Sequence, residues 1–181
     1  VDPEALIRND LSPQVLIDAI MAKRNLGTKI TDAPLVIGLG PGFQAGRDVH
    51  MVVETNDSES LGKVILKGEA EKNTGIPVAI AGLTFERVLH SPADGLFLTK
   101  KEIGDFVAAG EVVASVAEQP VRAEVGGLVR ALLRSRITVG RGAKLGEIDP
   151  SGNKEVCYII RPRVRAIAGG ALEAILMRYN V

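Results

Sequence analysis

The spacing of apolar and polar residues in the first half of the chain predicts a helix followed by two strands. The stretch LSPQVLIDAIMAKRNLG predicts the helix, with Ser12 as its N-cap, Pro13 at its first position and Gly27 at its end. The apolar run APLVIGLGPGF, residues 33–43, predicts a short strand that ends in glycines. The alternating run RDVHMVVET, residues 47–55, predicts a second strand.

Alternation in the second strand separates its side chains onto two faces. One face carries Asp48, His50, Val52 and Glu54, and the other carries Val49, Met51 and Val53. At roughly 3.3 Å per residue, about 7 Å separates Asp48 from His50 and about 13 Å separates His50 from Glu54. Asp48 and His50 are therefore candidates for contacting one ligand. Two such residues do not make a metal site, so the sequence predicts none, and a polar outer face is the alternative interpretation.

The glycine-rich loop between these strands has two interpretations. Because glycine backbones approach phosphates closely and present N–H groups, the loop and the following strand form a candidate cofactor site. Its residues are Gly38, Gly40, Gly42, Phe43, Asp48, His50 and Glu54. The loop matches neither a dinucleotide-binding fingerprint, which runs into a helix, nor a P-loop, which needs Gly-Lys-Ser/Thr. A tight turn containing Pro41 and Gly42 is the alternative.

The second half of the chain contains an internal repeat with an offset of 32 residues. ADGLFLTKKEIGDFVAAGEVVASV, residues 93–116, aligns with VGGLVRALLRSRITVGRGAKLGEI, residues 125–148. The alignment matches Gly95 with Gly127, Val107 with Val139, and Gly110 with Gly142. Each copy predicts a strand, a V-x-x-G turn and another strand, so two copies of one unit would close on each other and bury their valines and leucines.

The last segment, NKEVCYIIRPRVRAIAGGALEAILMRYNV, predicts a strand over residues 156–160 and a helix from about Val164. Gly169 and Gly170 are unfavourable inside a helix, so they indicate either close packing or a helix start. Cys157 lies in the predicted strand, where a buried structural thiol is favoured over a nucleophile.

Composition narrows the functional class. A single cysteine excludes an intramolecular disulfide and indicates a cytoplasmic protein. No apolar run is long enough to span a bilayer, so no membrane association is expected. The chain contains no Trp, two Tyr and four Phe, which argues against a stacking platform for nucleic acid.

Charge is zero overall but unevenly distributed. Residues 1–121 carry 11 basic and 17 acidic side chains, a net charge of −6, whereas residues 122–165 carry 10 basic and 4 acidic ones, a net charge of +6. Arg130, Arg134 and Arg136 in the basic segment are candidates for binding an acidic partner. A solvated arginine-rich surface is the alternative.

Residues 92–150 resemble the barrel-sandwich hybrid of biotinyl and lipoyl carrier domains in their glycine and valine spacing. In such carriers the attachment lysine lies on the turn that joins the two halves. The corresponding stretch here, VAEQPVRAEV, contains no lysine, so no covalently attached cofactor is expected. The predicted fold is α+β, with an α/β segment over residues 1–88, a biotinyl/lipoyl-like barrel-sandwich hybrid over 89–150, and a strand and helix over 151–181.

The runs GLGPGFQAGRDVHMVVET and RAIAGGALEAIL, with the lysine-free repeat between them, resemble the selenium-dependent molybdenum hydroxylase system family, also called the YqeB type. The resemblance implies an accessory protein that matures or loads the molybdenum cofactor of a hydroxylase. It implies a molybdopterin-type ligand and a hydroxylase subunit as partner, and leaves self-association open. Family members usually begin with a nucleotide-binding-like strand and a GxGD loop, so the chain is expected to lack that half.

Three functional hypotheses follow. The first is a maturation factor whose glycine loop holds a cofactor phosphate. The second is a docking module of the hydroxylase system that has no small-molecule site and binds through its arginines. The third, an independent enzyme, has the least support, because no nucleophile, base and acid set is evident.

Overall fold

In the computed structural model, which describes residue 2 and residues 5–180, the chain is mostly β with one long C-terminal helix. It forms two compact units, the first made of residues 1–74 and 160–181 and the second of residues 75–159. The first unit contains α1 Ile7–Leu11, β1 Val15–Asp18, β2 Leu35–Leu39, β3 Gln44–Ala45, β4 Met51–Val53, β5 Val64–Ile65, β6 Gly68–Glu69 and α2 Pro162–Tyr179. The second unit contains β7 Val88–His90, β8 Gly95–Thr99, β9 Phe106–Val107, β10 Val112–Val116, β11 Gln119–Arg122, β12 Gly127–Leu132, β13 Ile137–Val139 and β14 Lys144–Asp149.

The first unit is built on a four-stranded sheet in the order β1-β2-β4-β5. Strands β1, β2 and β4 are parallel, and β5 pairs antiparallel with β4. Helix α2 covers one face, where Ala174 packs with Leu35 and Ile37. The opposite face packs Val36 and Val52 against the segment around β3. Strands β2 and β4 are short and largely buried, which fits their apolar sequences, whereas β1 is exposed at Ile17.

The helix predicted over residues 11–27 does not form. Helix α1 ends at Leu11, Ser12 has a left-handed backbone with φ 44°, and the chain then enters β1. Met21 and Lys23 also have positive φ values of 60° and 64°, which no right-handed helix allows. The prediction was wrong because β1, which starts with Val15, gains parallel pairing with β2, and that tertiary pairing outweighs the local capping signals.

The predicted strand over residues 47–55 is shorter in the structure. Only Met51–Val53 forms β4, and the chain bends at His50. Met51 and Val53 pack on the side of α2, as alternation predicts, but Val49 packs on the opposite side. The turn that follows β3 causes this difference, because Gly46 N donates to Val49 O at 2.8 Å and ends regular pairing there.

Helix α2 runs from Pro162 to Tyr179, and Pro162 occupies its first turn, where a missing N–H costs nothing. Gly170 faces the sheet, and a Cβ atom added there would overlap the Gly62 carbonyl oxygen. The residue therefore permits close packing of the helix. The strand predicted over residues 156–160 is absent: Lys154–Cys157 forms a 3₁₀ turn capped by the Asn153 side chain, and Cys157 is half-buried. No described helix is both long and apolar enough to cross a membrane.

The second unit consists of two four-stranded sheets, in the orders β11-β10-β8-β13 and β7-β14-β12-β9. One apolar core fills the space between them. Its buried residues come from both sheets and are Leu89, Phe97, Val107, Val113, Ala114, Val116, Val121, Ala123, Val129, Val139, Leu145 and Ile148. The valines that the repeat matched, Val107 and Val139, are both buried in this core.

The two repeat copies interlock strand by strand. Gly95 in β8 pairs with Val139 in β13, and Gly127 in β12 pairs with Val107 in β9, so each copy supplies the short strand of the other copy's sheet. The relation extends to β7 and β11, which occupy equivalent positions at the edges of the two sheets. Because neither copy completes a sheet alone, the repeat folds as one unit.

Strands β10 and β11 are joined by a hairpin at the centre of the repeat. Its two tip residues, Ala117 and Glu118, have φ values of 46° and 66°. Positive φ at both positions matches the tight turns that suit the twist of a hairpin. The side chains at the tip are a methyl group and a carboxylate, so the hairpin offers no amine.

Candidate functional site

The predicted site residues lie at opposite edges of the parallel sheet in the first unit. Gly40, Gly42 and Glu54 follow the carboxyl ends of β2 and β4. Asp48 and His50 precede β4 and therefore lie at its amino end. About 13 Å of extended chain separates His50 from Glu54, so the seven residues do not converge on one ligand.

The glycines of the loop make room for the chain's own atoms. A Cβ atom on Gly38 would lie 2.5 Å from the Phe43 ring, and one on Gly42 would lie 2.5 Å from Arg24 Cα. A Cβ atom on Gly40, whose φ is +82°, would overlap Thr55 Oγ1. The glycines of this loop therefore serve a structural role, because they allow a tight turn that packs closely against neighbouring residues.

Glu54 has a structural role at this edge. Its side chain is buried, and its oxygens accept three backbone N–H groups: Oε1 those of Thr55 and Asn56 at 2.8 Å each, and Oε2 that of Glu71 at 2.7 Å. Both carboxylate oxygens are thus engaged within the protein. Glu54 fixes the segment that leaves β4 and holds the backbone near Glu71 against it.

Asp48 and His50 are also engaged locally, and separately from each other. The Asp48 carboxylate accepts from Gln44 N at 2.9 Å and pairs with Arg47 at 3.0 Å, and the hydrogen bond from Arg47 lowers the pKa of Asp48. His50 Nδ1 accepts from Val36 N at 3.0 Å. Among the described residues, no group of three or more His, Cys, Asp or Glu side chains could hold a metal ion.

The first unit is expected to lose stability as the pH falls below about 6.5, because His50 is held neutral. Partial burial, and then the charge of Arg178, lower the pKa of His50 from its ordinary value of 6.5. The unfolded chain therefore binds a proton more readily than the folded chain. The contribution of His50 to the free energy of unfolding is largest above about pH 6.5 and decreases as the pH is lowered to the folded-state pKa. An NMR titration of the imidazole Hε1 signal measures that pKa.

The sequence contains two histidines, so a His90→Asn variant assigns the His50 signal in this titration. A His50→Asn variant keeps an acceptor for Val36 N but does not titrate, and its stability should depend less on pH over this range. A folded-state pKa at or above 6.5 for His50 would contradict the expectation.

A cluster of cations at the carboxyl edge was missed by the sequence prediction. The loop after β1 is tied down by Asp18, whose carboxylate accepts from Thr28 Oγ1 at 2.6 Å. The same loop places the Arg24 backbone against Gly42, and Lys23 is its neighbour. At the start of α2, Arg163 Nη2 donates to Thr55 O at 2.6 Å. Recognising β1 as a strand would have placed Lys23 at this edge.

Lys23 and Arg163 lie close enough for their like charges to interact. Partial burial, and then the charge of Arg163, lower the pKa of Lys23. Within residues 5–180, neither side chain forms an ion pair with a carboxylate, and the buried Nε of Arg163 has no hydrogen-bond partner. Lys23 also has a left-handed backbone, which costs a non-glycine residue about 1 kcal/mol. The arrangement is suited to an anion, whose charge would offset the repulsion.

Among curated proteins, the chain is similar to one from Escherichia coli. Over 177 residues the chain is 44% identical to Escherichia coli (strain K12) YqeB, a protein described as uncharacterized. This similarity supports a YqeB-type family. The match takes in 98% of this chain and 33% of YqeB, so the chain spans about a third of the length of that curated relative. No protein-family model matches the chain.

Shorter parts of the chain also align with solved structures. An aspartoacylase family protein from Mesorhizobium loti is 24% identical over 46% of this chain and 32% of that chain, with a TM-score of 0.34. A succinylglutamate desuccinylase/aspartoacylase from Rhodobacter sphaeroides is 17% identical over 64% of this chain and 45% of that chain, with a TM-score of 0.33. TM-scores this low carry no inference about fold or function.

Proposed function

We propose that this chain is part of a cytoplasmic accessory factor that matures a selenium-dependent molybdenum hydroxylase. We also propose that the carboxyl edge of its parallel sheet binds the phosphate group of a molybdopterin-type cofactor. The family resemblance of the sequence motivates the biological role. The observation that carries the binding site is the Lys23–Arg163 pair, which has no carboxylate partner in the described chain.

The chemistry of this edge favours a phosphate. A guanidinium group binds phosphate oxygens through its N–H bonds, and the half-buried Arg163 side chain uses Nη2 for Thr55 O while carrying five N–H donors in all. An ammonium group such as Lys23 adds a compact second charge. Ligands of parallel sheets commonly bind outside the carboxyl ends of the strands, where these two side chains lie.

Calorimetric titration of the purified chain with molybdopterin cytosine dinucleotide and with inorganic pyrophosphate tests the site. Lys23→Gln and Arg163→Gln are each expected to weaken binding about tenfold, the effect of losing one charged hydrogen bond. Arg178→Gln is the matched control, because Arg178 lies in the same helix at the opposite end. A Gly40→Val variant is unsuitable, since its side chain would overlap Thr55 and disturb the fold.

Each outcome of the titration has a defined meaning. Binding of the dinucleotide that is lost with Lys23→Gln and Arg163→Gln but kept with Arg178→Gln supports the proposal. Binding of pyrophosphate alone supports a phosphate site but not the molybdopterin ligand. No saturable binding of either compound would overturn the site and leave the docking-module alternative, for which the exposed Arg134 and Arg136 are available.

We also propose that the second unit is an unmodified barrel-sandwich hybrid. The interlocked repeat copies, the single shared core and the central hairpin support this assignment. Ala117 and Glu118 occupy the hairpin tip, where a carrier domain would present its lysine. An experimental structure in which the two copies form separate sheets would contradict the proposal.

A further inference from the structure

The second unit contains an open cleft of about 540 Å³ that no sequence motif indicated. Residues 99–103 line one side and residues 132–135 line the other. The two sides are equivalent segments of the repeat, because an offset of 32 residues relates 99–103 to 131–135. The cleft therefore lies where the connections that follow β8 and β12 face each other.

Hydrogen bonds hold both sides of the cleft in place. Thr99 N donates to Ser135 Oγ at 3.0 Å and so links the two connections. Thr99 Oγ1 donates to Val113 O at 2.8 Å and accepts from Lys101 N at 3.0 Å. A cleft whose walls are fixed in advance loses little conformational entropy when a ligand binds.

A strained residue borders the cleft. Arg136 has φ 71°, a left-handed conformation that costs a residue with a side chain about 1 kcal/mol. Its N–H donates to Phe97 O at 2.7 Å, and this bond holds the chain in the strained conformation. Arg136 directly follows the cleft-lining segment that contains Arg134. Such strain is commonly found where a protein positions a functional group.

Charge in the cleft is not repeated between its two sides. The sequence is TKKEI on one side and ALLRS on the other. The repeat therefore aligns Lys100 with Leu132, and Glu102 with Arg134. Lys101 is neutralised by Glu111, with 2.6 Å between Nζ and Oε1. Lys100 and Arg134 are exposed and form no ion pair in the described part of the chain. Each side thus presents one available cation, and Glu102 adds one carboxylate to the side that carries Lys100.

We propose that this cleft binds a small organic dianion, either a phosphate ester or a dicarboxylate, with Lys100 and Arg134 contacting the two negative charges. The cleft is large enough for a small metabolite, and its polar lining suits a ligand that carries charge at both ends. A guanidinium and an ammonium group both recognise phosphate and carboxylate oxygens, so the two ligand classes share this chemistry. This site is separate from the carboxyl edge of the first unit and does not depend on it.

NMR titration of the isotopically labelled chain tests the proposal with two probes, glycerol phosphate and succinate. Saturable amide shifts are expected at residues 99–103 and 132–135. Lys100→Gln and Arg134→Gln are each expected to weaken binding about tenfold. Arg141→Gln is the matched control, because Arg141 is also exposed and lies in the same basic segment but does not line the cleft.

The probe that binds more tightly identifies the ligand class, and equal binding supports recognition of charge alone at this site. The absence of saturable shifts in the cleft with either probe would overturn the proposal. Equal weakening by Arg134→Gln and Arg141→Gln would also overturn it, because that result indicates general attraction to a basic surface. Residue-specific shifts keep the result independent of any binding at Lys23 and Arg163.

Discussion

A Glu147→Gln variant is expected to cost the second unit about 3–5 kcal/mol of stability, because it leaves a buried guanidinium without a counter-charge. Arg87 is 2% exposed. Its Nη1 donates to Glu147 Oε2 at 2.9 Å and its Nη2 donates to Val78 O at 2.6 Å, while its buried Nε has no partner within the described residues. Lys144 also pairs with Glu147, and Arg130 lies 3.7 Å away, so one carboxylate faces three cations.

The pH dependence of stability follows from the same cluster. Burial raises the pKa of Glu147, but the hydrogen bonds from Lys144 and Arg87 outweigh burial and hold this pKa below its ordinary value of 4.5. The ionised Glu147 side chain therefore contributes its full stabilisation of the folded second unit above about pH 4.5. This contribution is lost as the pH falls through the folded-state pKa. Chemical denaturation combined with hydrogen exchange of β12 and β14 measures both effects, and Glu147→Gln should depend less on pH in this range.

Two further variants separate lost charge from lost shape. Adding Arg87→Met to Glu147→Gln removes both charges, so most of the stability should return. Glu124→Gln changes an exposed carboxylate in the same unit and should alter stability by less than about 0.5 kcal/mol. Full stability of Glu147→Gln, or a double variant less stable than Glu147→Gln alone, would show that the pair does not act as described.

Gly170→Ala is expected to destabilise the first unit by about 3 kcal/mol or more, because the new methyl group has no space. A Cβ atom there would overlap the carbonyl oxygen of Gly62 and lie 2.8 Å from Val53 Cγ1. Backbone atoms cannot rotate away as a flexible side chain can, so α2 must move off the sheet. Thermal unfolding followed by circular dichroism measures the loss, and hydrogen exchange locates it in β4 and α2.

The neighbouring glycine provides a matched control for this change. A Cβ atom on Gly169 would meet nothing within 4 Å, and the residue is exposed. Gly169→Ala should therefore stabilise the helix by about 1 kcal/mol through helix propensity alone. Opposite signs for the two variants support the packing role of Gly170. Stabilisation by both variants would mean that α2 does not pack closely at this point.

The sequence analysis did not predict which lysine and arginine side chains lie together at the carboxyl edge. The glycine loop was a reasonable candidate for anion binding, yet its glycines pack against Phe43, Thr55 and Arg24. The cations at the carboxyl edge come from residues 23 and 163, which are far apart in the chain. Their proximity depends on β1 being a strand, and the local signals around Ser12 and Pro13 predicted a helix there.

Some features of this protein follow from its sequence alone. The offset of 32 residues between Gly95 and Gly127, and between Val107 and Val139, predicts two equivalent sets of strands in the second unit, because a repeated pattern of glycine and valine repeats the same turns and the same buried positions. The strand β2 is likewise evident from its apolar residues, and the sequence predicts the C-terminal helix from about Val164, two residues after its observed start at Pro162.

Other features depend on the tertiary structure. Whether residues 15–18 form a helix or a strand is decided by pairing with β2, and the role of Gly170 is decided by the backbone of Gly62, which lies more than a hundred positions away in the chain. The proximity of Lys23 to Arg163, and the placement of Lys100 and Arg134 on the two sides of one cleft, are decided in the same way. Charges act through space, and local spacing does not determine which distant side chains the fold brings together.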